Sequence, residues 1–319
     1  MKTVALLLLI VAASPGYAAA DEPDAQGLES AVGNAATMLA ERNDPDSLAA
    51  AAVLAKVSDA TRAEQLAGRA SAAAPKRPDL LWLHAQLCHD VQACDRSAID
   101  SKLQALDPDN GAVFIARLHD VDSHTETREI DGLLAAAAAS KRVDFYWNAL
   151  IAHLTPAVLS TKTLPPSQSV VAVIGAASVV VIPIFAGVNG PCRNWMPSED
   201  RRTQCRAIAR ALLQGDTAIA QLAGANMTAA LWPADSREAL AANETLRTLS
   251  YQVSTNGAQA ARRLVDAAGV TRYLDKLARY RREQDVIVAE IVEAGGSPTP
   301  PANWRPGPPQ ERALAPATR

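Results

Sequence analysis

The chain has 319 residues, 31 basic against 34 acidic side chains, and a formal charge of −3. So small a balance excludes the strongly basic face on which general nucleic-acid binding depends. Apolar residues make up 49% of the chain but aromatic ones only 4%, because alanine dominates; its high helix propensity and lack of side-chain entropy select an all-α fold with thin, closely packed helix contacts.

The first twenty residues, MKTVALLLLIVAASPGYAAA, carry one lysine, an apolar run from Val4 to Ala13, a helix-breaking Pro15-Gly16 and small residues up to Ala20. This is the pattern of a secretory signal, residues 1–20, with Ala18 and Ala20 preceding a cut before Asp21. A retained anchor would need about 20 apolar residues, roughly twice the run present. Removing the segment takes Lys2 with it and leaves 30 basic and 34 acidic residues. The expected location is therefore periplasmic or secreted.

Residues 21–160 read as short amphipathic helices punctuated by Pro-Asp steps at Pro45, Pro78 and Pro108, spaced 33 and 30 residues apart. A period in the low thirties is a repeat signal. Ala50, Ala51 and Leu54 predict one helix, and Ala63, Ala67 and Ala70 a second that closes at Pro75, with Thr61 and Glu64 as a capping box. Leu83, Leu87 and Leu103 suggest a second unit; Val113, Phe114 and Leu118 with Leu133 and Leu134 suggest a third. In these features the segment from about 43 to 140 resembles the tetratricopeptide-type helical repeats. The resemblance implies stacked helix pairs held by small residues. It implies no ligand residues, since the family's tryptophan, glycine and tyrosine positions are mostly alanine, leucine or histidine here.

After residue 160 the composition changes. Ser169 to Val188 is uncharged and almost wholly apolar, and is followed by Arg193, Arg201 and Arg202. The length suits a membrane span, so membrane association through 169–188 is one expectation. Gly175, Ser178 and Pro183 favour the other, a central helix buried on all sides and broken near Pro183. The rest of the 161–296 region predicts a C-terminal helical bundle. Ser198 opens a helix ending at Gly215, Asp216 opens one ending near Pro233, and Asp235 with Glu238 opens a third. A helix from Ala258 stops at Gly269, and a long last helix spans Thr271 to Ala294, with Lys276, Arg279 and Arg282 on one face. Residues 297–319 are proline-rich and expected to be extended and disordered.

Four cysteines are present, Cys88, Cys94, Cys192 and Cys205. His84, Cys88, His89 and Cys94 offer metal-ligand types within eleven residues. Zinc sites, however, favour two close ligand pairs separated by a loop, and His89 points about 100 degrees away from Cys88 on any helix. Five residues between Cys88 and Cys94 do not make a Cys-x-x-Cys redox motif. An exported chain with an even cysteine count favours disulfides Cys88–Cys94 and Cys192–Cys205, the first stapling a turn between helices for about 2 to 3 kcal/mol. His119 and His124 with Asp120 and Asp122 offer a second metal option, read here as a polar turn.

No zinc-hydrolase, nucleophile-elbow, phosphate-loop or dinucleotide motif occurs, so no catalytic, cofactor or metal residues are assigned and no cofactor is expected. In layout the whole chain resembles the alanine-rich helical proteins that high-GC bacteria export, a likeness that brings no activity with it. The expected function is an exported module that binds a protein or peptide. The alternatives are a single-pass membrane protein with a periplasmic repeat domain, and an enzyme whose deep polar pocket would be lined by histidine and carboxylates.

Overall fold

The computed structural model describes residues 25–121, 127–183, 185–193 and 198–305. The secretory segment 1–20, the metal-option residues Asp122 and His124, and the end of the tail lie outside them. Among the described residues every regular element is a helix. The first seven are α1 (Ala25–Ala40), α2 (Pro45–Ala55), α3 (Ala60–Ala73), α4 (Pro78–Cys88), α5 (Arg96–Leu106), α6 (Ala112–Asp120) and α7 (Thr127–Ala139).

The Pro-Asp period marks helix starts. Pro45 and Pro78 occupy the first turns of α2 and α4, where proline's missing N–H is no loss. Pro108 lies in the turn leading to α6. Asp44 caps α2 by accepting the Ser47 N–H at 2.8 Å. The cap of α3 is Asp59, which accepts from the Arg62 N–H at 2.9 Å. The expected Thr61–Glu64 box therefore does not form, and Glu64 is left for another partner. Successive helices pack in pairs, α2 on α3, α3 on α4, α4 on α5 and α6 on α7, giving a helical-repeat arrangement.

Alanine sets the spacing of this layer. Ser47 through Ala55 of α2 is buried without interruption, which a helix achieves only when neighbours enclose it on every side. Two of those neighbours come from the following segment, which contains α8 (Trp147–Thr161), α9 (Pro166–Val180) and α10 (Ala186–Arg193). α8 packs on α1, α2 and α4, α9 on α2 and α4, and α10 on α6. Besides α1, these contacts reach α2, α4 and α6, the first helix of each pair, while α11 packs on α7. The chain thus packs its own later helices against its repeat array.

The apolar stretch 169–188 is accordingly two helices and not one. Val181 to Pro183 forms a turn between α9 and α10, as the expected break near Pro183 requires. Burial on all sides is the part that fails. Val170, Val173, Ala177 and Val180 are buried, but Val171 is 38% and Val179 56% exposed, because α2, α4, α8 and α14 around α9 leave part of its surface open. No helix among the described residues is long and apolar enough to cross a membrane.

The few aromatic residues tie these layers together. Fully buried Trp82 of α4 lies 5.6 Å from the Phe145 ring, which in turn meets Phe185 edge-on at 5.9 Å. The indole N–H of Trp82 donates to the Val181 carbonyl at 3.1 Å, satisfying a group just past the end of α9 that the helix leaves without a partner.

The C-terminal bundle comprises α11 (Glu199–Leu213), α12 (Ala218–Leu231), α13 (Arg237–Arg263), α14 (Ala267–Arg279) and α15 (Glu283–Glu293). Ser198 caps α11 as expected. Three boundaries differ. The caps of α12 and α13 are Thr217 and Ser236, one residue beyond those expected. Gly269 does not end a helix but sits in the first turn of α14, where a Cβ would lie 1.9 Å from the Arg263 carbonyl oxygen; α13 therefore runs 27 residues and turns tightly into α14.

The long last helix breaks at Tyr280–Arg282. There Asn148 donates to the Tyr280 carbonyl at 2.7 Å, and the Glu283 N–H donates to the Asp216 carbonyl at 2.7 Å, so tertiary bonds replace the helical ladder. The basic face is dismantled with it, as Lys276 pairs with Glu290 and Glu293, and Arg282 with Asp285. Residues 297–305 of the proline-rich tail lie against α13. The Gln252 amide donates to the Pro298 carbonyl at 3.1 Å, and Trp304 meets Tyr251 at 5.4 Å.

Replacing Trp82 tests the link between array and filling segment. Trp82→Phe is expected to lose about 1–3 kcal/mol by stranding the Val181 carbonyl, and Trp82→Ala about 3–5 kcal/mol, both measured by urea unfolding; an unchanged midpoint in Trp82→Phe would show that the hydrogen bond contributes nothing.

Candidate functional site

The most concentrated set of reactive side chains lies between α3, α4 and α5. Glu64, Gly68 and Ser71 stand at intervals of four and three on α3, one stripe of the helix. His84 on α4 faces that stripe. Its Nε2 is 3.1 Å from Glu64 Oε1 and its Nδ1 is 3.1 Å from Ser71 Oγ. The ring lies against position 68, where a Cβ would be in van der Waals contact with it at 3.4 Å.

Cys88, four residues on from His84, closes α4 and is bonded to Cys94, with Sγ atoms 2.00 Å and Cα atoms 5.5 Å apart. A Glu64 oxygen, a His84 ring nitrogen and the Cys94 sulfur all lie within 4.8 Å of one another. A cleft of about 260 Å³ opens beside them, walled by Ser71, Pro75, Leu81, His84, Ile99 and Lys102.

Serine, histidine and glutamate together suggest acyl transfer, but the geometry does not equip Ser71 for it. Its hydroxyl lies 3.1 Å from the Gly68 carbonyl, in the body of α3, where the surrounding N–H groups are committed to the helix and no donor pair faces a developing oxyanion. Ser71 instead orients His84. With the disulfide closed, neither sulfur is a free thiolate, which is the form that binds metal.

His89 takes no part in this cluster. Its Nδ1 is 3.0 Å from Asp90 and its Nε2 2.9 Å from Asp120, and its ring stacks on His119 at 6.4 Å. Arg96 reaches Asp120 at 2.6 Å and, from the other edge, Asp100 at 3.8 Å. Asp100 is 3% exposed and its Oδ1 has no hydrogen-bond partner. Burial pushes its carboxyl up to about 6, against the pull of Arg96 and Arg117 and with a smaller push from Asp120.

A second polar cluster joins the repeat layer to the C-terminal bundle. Tyr146 has a left-handed backbone, with φ at 58°, a conformation costly for a bulky side chain. Its N–H donates to Asp144 at 2.9 Å and its hydroxyl to Asp107 at 2.6 Å. Asp216, fully buried, accepts the N–H groups of Phe145 and Trp147 at 2.9 Å each. Burial, and next the neighbouring Asp144 carboxyl, hold Asp216 well above the usual carboxylate range, while the two N–H bonds oppose them. Its groups satisfy the backbone around the start of α8.

The second expected pair, Cys192 and Cys205, is bonded as well, joining α10 to α11 with Cα atoms 5.6 Å apart. Of the metal types noted at 84–94, the fold gathers His84, Cys88 and Cys94 and sends His89 elsewhere. Local pattern alone does not single out Glu64 and Ser71 as site residues. The i, i+4, i+7 spacing of Glu64, Gly68 and Ser71 is a signal for them, but in sequence Glu64 also fits a capping box, which the Asp59 cap replaces.

Because folding favours protonated Asp100, its stabilising contribution is complete below the ordinary value of 3.8 and is lost as pH rises through about 6. Asp100→Asn, which leaves Arg96 its pairing with Asp120, is expected to flatten part of the fall in urea midpoint between pH 4 and 7. At pH 8 it should add on the order of 1–3 kcal/mol. The slope that remains includes Asp216 and Glu283, whose burial raises them with the same sign, opposed by Asp44 and Asp90, which are lowered; parallel curves for variant and parent would refute the assignment. Comparison with known protein families, curated proteins and solved structures returned no match to this chain.

Proposed function

We propose that the protein is a periplasmic or secreted, tetratricopeptide-like module that binds an acidic polypeptide segment on the outer face of its first layer. The observation that carries this reading is how the repeat faces are used. The face made by the first helices of the pairs, α2, α4 and α6, is covered by α8, α9 and α10. Repeat arrays commonly receive ligands on an open concave surface, so the binding face is assigned to the side this filling leaves exposed.

On that side a cleft of about 280 Å³ runs between α1 and α3, lined by Thr37, Glu41, Arg62, Gln65, Leu66 and Arg69. Arg62 and Arg69 stand seven residues apart, two helical turns, on one face of α3. Guanidinium groups so placed suit bidentate pairing with carboxylates along a peptide, and buried Leu66 supplies an apolar floor. Export is supported by the secretory pattern at the N-terminus and by two disulfides, which persist in oxidising compartments.

The test is affinity capture from exported material with a C-terminally tagged chain, read by mass spectrometry beside the Arg62→Glu/Arg69→Glu variant. The expected result is a mature chain beginning at Asp21 that enriches one partner, with at least tenfold less recovered by the variant. Equal recovery by both proteins would overturn the α1–α3 surface. Recovery of no partner together with turnover of a defined small molecule would overturn the binding function.

A further inference from the structure

We propose that the Cys88–Cys94 disulfide masks a zinc site, and that its reduction creates a tetrahedral Cys₂-His-Glu centre from Cys88, Cys94, His84 and Glu64. This inference is independent of the peptide-binding surface on α1 and α3.

Three of the four donors are already assembled, since the Glu64 oxygen, His84 nitrogen and Cys94 sulfur lie within 4.8 Å of one another. Cys88 is one bond away from Cys94. The separation of Glu64 Oε1 and His84 Nε2, 3.1 Å, is close to the edge of a tetrahedron with metal–ligand bonds of about 2.0 Å. His84 and Cys88 share one face of α4, Glu64 comes from α3 and Cys94 from the turn before α5, so the donors converge from three directions. Two thiolates with one imidazole and one carboxylate form a donor set suited to zinc, which accepts sulfur, nitrogen and oxygen in four-coordinate sites.

The surroundings meet two further requirements. Histidine ligands ordinarily donate their second N–H to a fixed acceptor, and Ser71 Oγ stands 3.1 Å from His84 Nδ1. The same oxygen lies 3.1 Å from the Gly68 carbonyl, so the hydroxyl can donate there while accepting from Nδ1–H. Without metal the tautomer reverses, with Nε2–H donating to Glu64 and the serine hydroxyl donating to Nδ1. Entry is open as well. The Glu64 and His84 side chains keep 18% and 14% of their exposure, and the cleft of about 260 Å³ reaches His84.

The switch balances as thiol–disulfide exchange. A dithiol reductant attacks one sulfur of the pair through its thiolate to give a mixed disulfide, and its second thiol resolves that bond. The protein gains two electrons and two protons as Cys88 and Cys94 become thiols, and the reductant leaves as a disulfide. Zinc then displaces the two thiol protons as it binds. In an oxidising compartment the closed disulfide is the resting form, and the site reports encounter with a dithiol reductant.

The test uses the full mature chain, with any tag removed, and Co²⁺ as a spectroscopic stand-in for zinc. Oxidised protein is expected to give no thiolate-to-metal band. Protein reduced anaerobically is expected to show stoichiometric tetrahedral cobalt bands with a thiolate charge-transfer band, all displaced by Zn²⁺. The Cys88→Ser/Cys94→Ser variant should lose the signal and Cys192→Ser/Cys205→Ser should keep it, while Ser71→Ala should weaken zinc binding roughly tenfold to a hundredfold. A readout without variants follows in the reduced wild-type chain, where Zn²⁺ should protect Cys88 and Cys94, but not Cys192 and Cys205, from alkylation. Absence of a thiolate band after reduction, the same band in oxidised protein, or equal protection of all the cysteines would overturn the proposal.

Discussion

The carboxyl group of Asp216 is the point at which the two halves of the chain meet. Phe145 and Trp147, at the entry to α8, donate their N–H groups to its two oxygens, and its backbone carbonyl accepts from Glu283 at the start of α15. A residue with no solvent contact thus serves two separate stretches of backbone, the entry to α8 through its side chain and the start of α15 through its carbonyl, which would otherwise be buried without partners. Such groups are costly to strand, so the left-handed turn at Tyr146, the direction of α8 and the break between α14 and α15 are fixed together. Burial and the adjacent Asp144 carboxyl hold the group above the usual carboxylate range, which makes this joint sensitive to pH.

Once α8 is directed inward, the alanine-rich surface of the first layer determines the rest. Small side chains let backbones approach closely, so α2 is enclosed by α1, α3, α8 and α9. The apolar stretch after residue 160 is spent on this filling. Its uncharged side facing out, with Val171 and Val179 exposed, is what remains of an element whose other side is committed to the array. The rare aromatic side chains Trp82, Phe145 and Phe185 concentrate where the filling segment crosses α4, the place where alanine is too small to close the gap.

The same layering explains why chemistry gathers on the outside. With α2 and α4 turned toward the filling segment, α3 shows its polar stripe to the edge of α4, and the short α4–α5 turn brings Cys94 back beside it. The disulfide and the Glu64–His84–Ser71 chain belong to one small region, and the peptide cleft proposed on α1 and α3 lies on the outer side of the same helix.

Composition and local pattern determined the all-α class, the period of the Pro-Asp steps, the cap at Ser198, the break near Pro183 and the two cysteine pairings. Each rests on the steric or hydrogen-bonding behaviour of a few neighbouring residues, which is written in the order of the chain. The tertiary structure alone decided that Gly269 starts a helix and does not stop one, because the reason is the approach of Arg263. It decided the break at Tyr280–Arg282, because Asn148 and Asp216 claim the backbone groups that would have continued the helix. It decided that Glu64 pairs with His84 across 20 residues while His89 turns to Asp120, since periodicity tells which face of a helix a residue occupies, and only packing tells what that face will meet.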